Sequence, residues 1–323
     1  ISSVTAVTLS YLLTGTDAMF HFQLDDAFSV SRVPYVMLLG AMGIFGTIGI
    51  FVRYIPLPSS FIALVRSVVG LLLLGAVVLA KGQGFSLSSL KGKLGRLALS
   101  GILMGFNWIL LFESYRYTTV ATATVCYYLA PLFLLLASPL LKERLTLKKL
   151  LCIGVALMGL VCISGITEGS LPTTEEATGI ACGLGAAVLY ATVMLLNKKL
   201  TPIPAYDKTI VQLGTASIVI FFYLILSKAL VFPQLTSLQW VLLATVGIVH
   251  TGITYALYFG AMKELPAHTI AIFSYVDPMI AVVLSTVILK EPITLWGGIG
   301  TVLILGSALY SELPGKQQRG LSD

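Results

Sequence analysis

The chain alternates long uncharged apolar runs with short polar clusters. A helix needs about 20 predominantly apolar residues to cross a bilayer, so the gaps between charges locate candidate spans. Arg32 and Arg53 enclose the first. Arg53 and Lys81 bracket the second, with Arg66 inside it. The third lies between Arg96 and Glu113, and the wholly uncharged residues 117–141 form the fourth. Lys149 to Glu168 holds the fifth, Glu176 to Lys198 the sixth and Lys208 to Lys228 the seventh. The eighth follows a polar start at residues 232–237 and ends at Lys263. Residues 265–289 carry one charge, Asp277, and form the ninth; residues 292–311 form the tenth. Every connection is short, which leaves no room for a soluble domain. Thr146 and Thr294 each precede a new apolar run and are placed to cap a helix amino terminus.

The charges give this pattern an orientation. With both termini inside, fifteen lysines and arginines fall on inner segments, among them Lys91, Lys93, Lys142, Lys198 and Lys263. The outer loops carry Arg53, Arg116, Lys228 and Lys290, and the loop from Glu168 to Glu176 is acidic with no base. Basic residues concentrate on the cytoplasmic side of membrane proteins, so the expected topology is N-in and C-in. Residues 1–32 stand apart. Their one apolar stretch, residues 4–13, is too short to span, and they show no convincing cleavage pattern. They read as an N-terminal tail, either disordered or extraneous, and residues 313–323 read as a cytoplasmic C-terminal tail.

The two halves resemble each other. Gly105-Phe106-Asn107-Trp108 aligns with Gly252-Ile253-Thr254-Tyr255, and the same offset pairs Thr122 with Thr269, Tyr128 with Tyr275 and Pro131 with Pro278. With one residue inserted, Lys142-Glu143-Arg144-Leu145-Thr146 pairs with Lys290-Glu291-Pro292-Ile293-Thr294. Five spans per copy is an odd number, so the second copy enters the membrane from the opposite side. Inverted halves around a midplane site are a common architecture of secondary transporters. The fold expected is therefore an all-α membrane protein of ten transmembrane helices, residues 33–168 and 177–312 being two inverted five-helix repeats around a central cavity.

These residues carry a family resemblance. The paired Lys-Glu-x-Leu/Ile-Thr ends each follow a proline-bearing apolar helix and precede a glycine-rich one. They resemble the EamA domains of the drug/metabolite transporter superfamily. Arg66 in Ala63-Leu64-Val65-Arg66 is similar to an arginine such proteins carry early in their second helix. The resemblance covers about residues 35–311. It implies a ten-helix bundle with a central cavity and substrates such as amino acids, amines, purines, sugars or drugs, commonly exported from the cell. Organophosphate and nucleotide-sugar members hold phosphate with several intramembrane bases, whereas this chain offers Arg66. Asn197-Lys198-Lys199 superficially resembles a motif of those members but sits at a span end, where it reads as positive-inside anchoring. A lipid flippase or scramblase on the same fold is the nearest alternative.

Composition narrows the chemistry. Apolar residues make up 57% and charged residues 11% of the chain, against roughly 25% charged in soluble domains. A soluble enzyme, a disordered chain and a disulfide scaffold are excluded. The net charge of +6 lies in short loops rather than in an aromatic-laced basic patch, so nucleic acid is not an expected partner. Cys126, Cys152, Cys162 and Cys182 sit in apolar runs without a CxxC pair and read as inert thiols. No GxxxxGK[ST] loop, carboxylate cluster or histidine pair is present, so neither ATP hydrolysis, an enzymatic reaction, a metal nor a cofactor is expected. The expected partners are a small-molecule substrate and the lipid bilayer, the chain acting as a monomer or a homodimer in a cell membrane, the bacterial inner membrane by preference.

A charge at the bilayer centre costs roughly 2.5–3.5 kcal/mol on insertion scales, which nominates the few that occur there. Asp277 lies about 16 Å into the ninth span and precedes Pro278, whose missing N–H loosens the helix. It reads either as a cation or proton site or as a structural carboxylate. His250 sits at similar depth, as a proton partner or as a neutral histidine bonded to a carbonyl. Arg66 either holds a substrate carboxylate or locks helices together. Asn107, Trp108, Tyr127, Tyr128, Thr254, Tyr255, Ser274 and Tyr275 fall at repeat-equivalent places and form a candidate cavity lining. Aromatic walls with few charges suit a neutral, zwitterionic or cationic organic solute. Glu113 and Arg116 have the spacing of an interfacial ion pair. Gly40, Gly43, Gly46 and Gly49 give the first span a small face, as Gly179, Gly183 and Gly185 do the sixth.

Overall fold

A computed structural model describes residues 32–80, 90–137, 146–164, 172–200, 203–230 and 234–312. All the regular structure among them is helical. In the first half, α1 is Val33–Arg53, α2 is Ser59–Ala80 and α3 is Leu94–Tyr117. Helix α4 is broken into Val120–Tyr127 and Ala130–Leu136, and α5 is Leu147–Ile163. The second half has the same order. Helix α6 is Thr174–Lys198, α7 is Ala205–Leu226 and α8 is Ser237–Glu264. Helix α9 is broken into Ala267–Phe273 and Val276–Val287, and α10 is Leu295–Glu312.

Seven of these helices are long and apolar enough to cross a membrane: α1, α2, α3, α6, α7, α8 and α9. Helices α4 and α10 are apolar but shorter, and α5 has 17 residues and begins with Lys148 and Lys149. The sequence count of ten is thus met by seven on length and hydropathy. Lys142, Glu143 and the tails lie outside the described residues.

Local chemistry sets the boundaries. Thr146 accepts a hydrogen bond from the Lys149 N–H, and Thr294 accepts one from the Gly297 N–H, so both expected caps are formed. Thr173 with Glu176, and Thr236 with Gln239, form capping boxes at α6 and α8. The breaks in α4 and α9 fall two to four residues before Pro131 and Pro278. Each proline lacks the N–H that would bond the carbonyl four residues back.

Packing follows the repeat. Helix α1 lies against α8 and α9, and α6 lies against α3 and α4. Helix α2 meets α7 and α8, while α7 meets α2 and α3. The pairs α4–α9 and α5–α10 join each helix to its own counterpart. Exchanging the halves leaves these pairings unchanged. The register is shared as well: Gly105 on α3 packs against Ile220 on α7, and its equivalent Gly252 packs against the equivalent Leu73 on α2. Helices α5 and α10 cross at Gly159 and Gly300, where a Cβ on either would press on the other's carbonyl oxygen. The largest apolar core joins α1, α2, α3, α7 and α8 around Phe112, Leu74, Leu213 and Ile220.

Candidate functional site

The broken helices define the site. Pro278 leaves the Ser274 carbonyl, four residues back, without its helical donor. The Tyr128 hydroxyl takes that place, donating to Ser274 O at 3.2 Å and to Asp277 Oδ2 at 2.6 Å. Tyr128 and Tyr275 are repeat equivalents, and their rings meet with centroids 6.0 Å apart. The pair thus marks where the two halves face one another.

A cavity of about 520 Å³ opens beside this pair. Its walls hold nine of the eleven residues nominated from the sequence: Asp277, Arg66, Asn107, Trp108, Tyr127, Tyr128, Tyr255, Ser274 and Tyr275. Arg66 is buried, stacks its guanidinium 4.3 Å from the Trp108 ring centre, and donates from Nε to Thr251 Oγ1 at 3.0 Å. No carboxylate lies within 4 Å of it among the described residues, so Arg66 and Asp277 share the cavity without forming an ion pair. Asn107 donates from Nδ2 to the Ala186 carbonyl at 2.6 Å, tying α3 to α6, while its buried Oδ1 has no hydrogen-bond partner.

The other two nominees lie elsewhere. His250 and Thr254 belong to the second-half helix α8, in or beside a π-helical turn, Ile248–Ile253. The wider turn leaves carbonyls without regular partners, and side chains bond five residues back. Thr251 donates to Val246 O at 3.2 Å and Thr254 to Val249 O at 2.6 Å, while His250 Nδ1 lies 3.2 Å from Thr245 O. His250 Nε2 is 2.8 Å from Thr47 Oγ1 on α1, and its ring packs edge-on to Phe51. Both ring nitrogens are therefore engaged between α1 and α8. Neither His250 nor Thr254 lines the cavity: depth along a helix does not fix which way His250 faces, and the π turn breaks the register that made Thr254 equivalent to Asn107.

The structure also brings in residues that spacing did not reveal. Tyr190 from α6 stacks on Tyr127 at 5.3 Å, and Tyr115, Tyr258 and Phe259 complete the aromatic wall. Gln212 on α7 donates to Ser100 Oγ at 2.5 Å and to Asn197 Oδ1 at 2.9 Å, so Asn197 joins a buried polar network as well as ending a span. An uncharged glutamine inside an apolar run was the available signal. Glu113 and Arg116 do pair, at 3.7 Å.

The cavity is lopsided along the bundle. It reaches Asn197, Thr209 and Met262, near the ends of α6, α7 and α8; toward the opposite end its lining stops at Tyr115, short of Arg53, Thr118, Val120 and Glu291. There Arg53 pairs with Glu291 at 3.6 Å and donates to the Tyr115 and Thr118 carbonyls. Glu291 Oε2 accepts from the Val120 N–H at 2.8 Å and from the Ser285 hydroxyl.

Seven membrane-length apolar helices around an aromatic cavity define a multi-pass membrane protein with an internal solute-sized site. Comparison with known proteins specifies the family. Residues 32–165 and 177–311 each match the EamA-like transporter family, and the chain belongs to it. It is 33% identical over 276 residues to YxxF of Bacillus subtilis (strain 168), an uncharacterized transporter, spanning 85% of this chain and 88% of that one. It is 28% identical over 295 residues to YetK of the same organism, also an uncharacterized transporter, spanning 88% of each. A solved crystal structure overlaps with a TM-score of 0.60 at 22% identity, covering 86% of this chain and 96% of its own. That likeness is one of fold.

Proposed function

We propose that the protein is a secondary transporter that moves small organic solutes across the cell membrane by alternating access. The observation that carries this reading is the cavity at the Tyr128–Tyr275 contact, with Arg66 and Asp277 on its walls. Two inverted five-helix halves can exchange tilts, and the exchange carries a site between them from one face to the other. The matched pairings of the halves and the shared Gly105–Ile220 and Gly252–Leu73 contacts support that relation.

The positive-inside rule favours a cytoplasmic position for the basic helix ends at Lys198 and Lys263. The cavity reaches that end, so a solute loads from the cytoplasm, which favours export. Arg66 presents a guanidinium to the cavity and Asp277 a carboxylate, within tyrosine and tryptophan walls. Such a site suits amino acids, amines and drug-like solutes.

Reconstitution in liposomes with a panel of these solutes tests the reading. Saturable uptake or efflux of at least one is the expected result. Panel-wide absence of saturable flux, in vesicles where a fluorescent lipid crosses between leaflets faster than in empty ones, replaces it with lipid movement.

A further inference from the structure

Beyond Tyr115, where the cavity lining stops, the end of the bundle is held by one connected cluster, and the cluster is wired to the cavity. Arg53 is the last residue of α1, and Glu291 follows α9. Glu291 receives the Val120 N–H, which begins the short first segment of α4, Val120–Tyr127. A carboxylate at a helix amino terminus answers both its unpaired N–H groups and its dipole. The residue after that segment, Tyr128, donates to Asp277 on the same α9. The segment has 8 residues, roughly 12 Å of helix, and each end is bonded to an acidic side chain from α9 or its following loop.

Helix α1 runs alongside the same two points. Gly46 packs against the carbonyl of Asp277 and the side chain of Ile280, and Gly49 against the Val120 side chain, with Arg53 one turn further on. Helix α1 thus lies in close contact with α9 at Gly46 and with the start of the α4 segment at Gly49, so a tilt of α1 changes both contacts. Gly92 aside, the positive φ angles among the described residues are at Lys228 and Lys290, and Lys290 (φ 54°) turns the chain so that Glu291 faces Val120.

We propose that Arg53, Glu291 and the Val120–Tyr127 segment form a latch that closes the far end of the cavity and opens when Asp277 releases Tyr128. The proposal rests on the transporter reading and adds its trigger. A solute or proton that engages Asp277 competes with the Tyr128 hydroxyl. Loss of that bond frees the carboxyl end of the segment, its amino end leaves Glu291, and Arg53 loses the partner that holds α1 to the α9–α10 turn. The two halves then swing, opening this end as the Asn197–Met262 end closes.

Hydrogen–deuterium exchange on the full chain in proteoliposomes, with no solute added, tests it. Glu291→Gln keeps the shape of the side chain and removes its charge; Tyr128→Phe removes one hydroxyl and leaves every latch residue in place. Both should speed exchange at residues 115–123 and 286–294 on the order of tenfold, the factor expected for one charge-assisted hydrogen bond. Both should also slow exchange at residues 203–209 and 262–271, at the open end. The second change is the diagnostic one, because loss of a mere helix cap would not reach that far. Faster exchange confined to residues near each substitution overturns the proposal, as does an unchanged Tyr128→Phe. Since no solute is involved, failure here leaves the liposome flux test of the transporter reading untouched.

Discussion

Replacing Gly46 by alanine is the sharpest test of how α1 sits on α9. A Cβ built at Gly46 lies 2.6 Å from the Asp277 carbonyl oxygen and 2.8 Å from the Ile280 Cβ. Ordinary carbon–oxygen contacts are about 3.3–3.6 Å, so the helices must part by roughly 0.7 Å or more. The neighbour is backbone and cannot rotate aside, and overpacking of this kind costs about 1–3 kcal/mol. Gly40, two turns earlier on the same helix, has no atom within 4 Å of its Cβ position. Alanine there meets no obstacle and gains up to about 1 kcal/mol of helix propensity. Alanine at Gly46 gains the same propensity, so the two variants should differ by the overpacking alone, roughly 1–3 kcal/mol, although their chemistry is identical. At about 2–4 °C per kcal/mol for chains somewhat shorter than this one, Gly46→Ala should melt several degrees below Gly40→Ala. Gly49→Ala should also melt below Gly40→Ala, because its Cβ would press on the Val120 side chain, which is fully buried and stiff at χ1. Thermal unfolding in detergent, followed by tryptophan fluorescence, reads the order directly; Trp108 in the main core is 4% exposed and reports its opening. Equal melting temperatures for Gly40→Ala and Gly46→Ala would refute the close α1–α9 contact and, with it, the mechanical link from Asp277 to the latch.

Three further expectations follow from the site and the topology. Asp277→Asn should abolish the pH dependence of transport, since asparagine cannot exchange a proton; an unchanged pH profile takes Asp277 out of the coupling role. Tyr128 bonds its carboxylate directly, and Arg66 is the other charged residue among those lining the cavity, beside uncharged polar groups such as Asn107, Tyr127, Ser274 and Tyr275. Arg66→Lys keeps the charge but loses the Nε–H to Thr251 and the flat stack on Trp108. Flux of carboxylate-bearing solutes should fall about tenfold or more while that of simple amines falls less, and an equal fall for both removes the carboxylate role. In intact cells, a membrane-impermeant thiol reagent should label Lys228→Cys and leave Lys263→Cys unlabelled until the membrane is opened; the reverse result inverts the topology.

The helical membrane fold and its family were legible because they rest on composition, length and repeated motifs. Charge-free runs mark helices wherever a bilayer forbids charges, and the Lys-Glu-x-Leu/Ile-Thr ends survive in both copies. The cavity lining was largely legible for a related reason. Asn107, Trp108, Tyr128 and Tyr275 fall at equivalent places, and equivalent places in two related halves face a common axis. His250 was nominated by depth and Thr254 by equivalence to Asn107, yet the π-turn at Ile248–Ile253 turns polar groups of both back onto carbonyls of their own helix. One residue added to a helical turn leaves no trace in hydropathy. Tyr190 and Gln212 went unseen because α6 and α7 match their counterparts weakly in sequence, so repeat equivalence could not point to them. Arg53 and Glu291 were legible as loop charges and illegible as partners: they lie far apart in the chain, and only the meeting of α1 with α9 brings them to 3.6 Å.

The frame is close to symmetric, and the chemistry set on it is not. At the offset that relates Gly105 to Gly252 and Tyr128 to Tyr275, Asp277 corresponds to Ala130, and Arg66 corresponds to Leu213. Ala130 lines the same cavity as Asp277, and Leu213 is fully buried. The paired tyrosines and glycines therefore serve the packing that both halves must share if either can take the other's tilt. The unpaired charges cannot serve that purpose, because one copy does without each of them. A carboxylate on one half and a guanidinium on the other side of the cavity instead give a solute a fixed direction in a nearly two-fold space. Under the proposed alternating access, evenly matched halves would make the two tilts similar in energy, and a single Asp277–Tyr128 bond made from one side would then bias the choice between them.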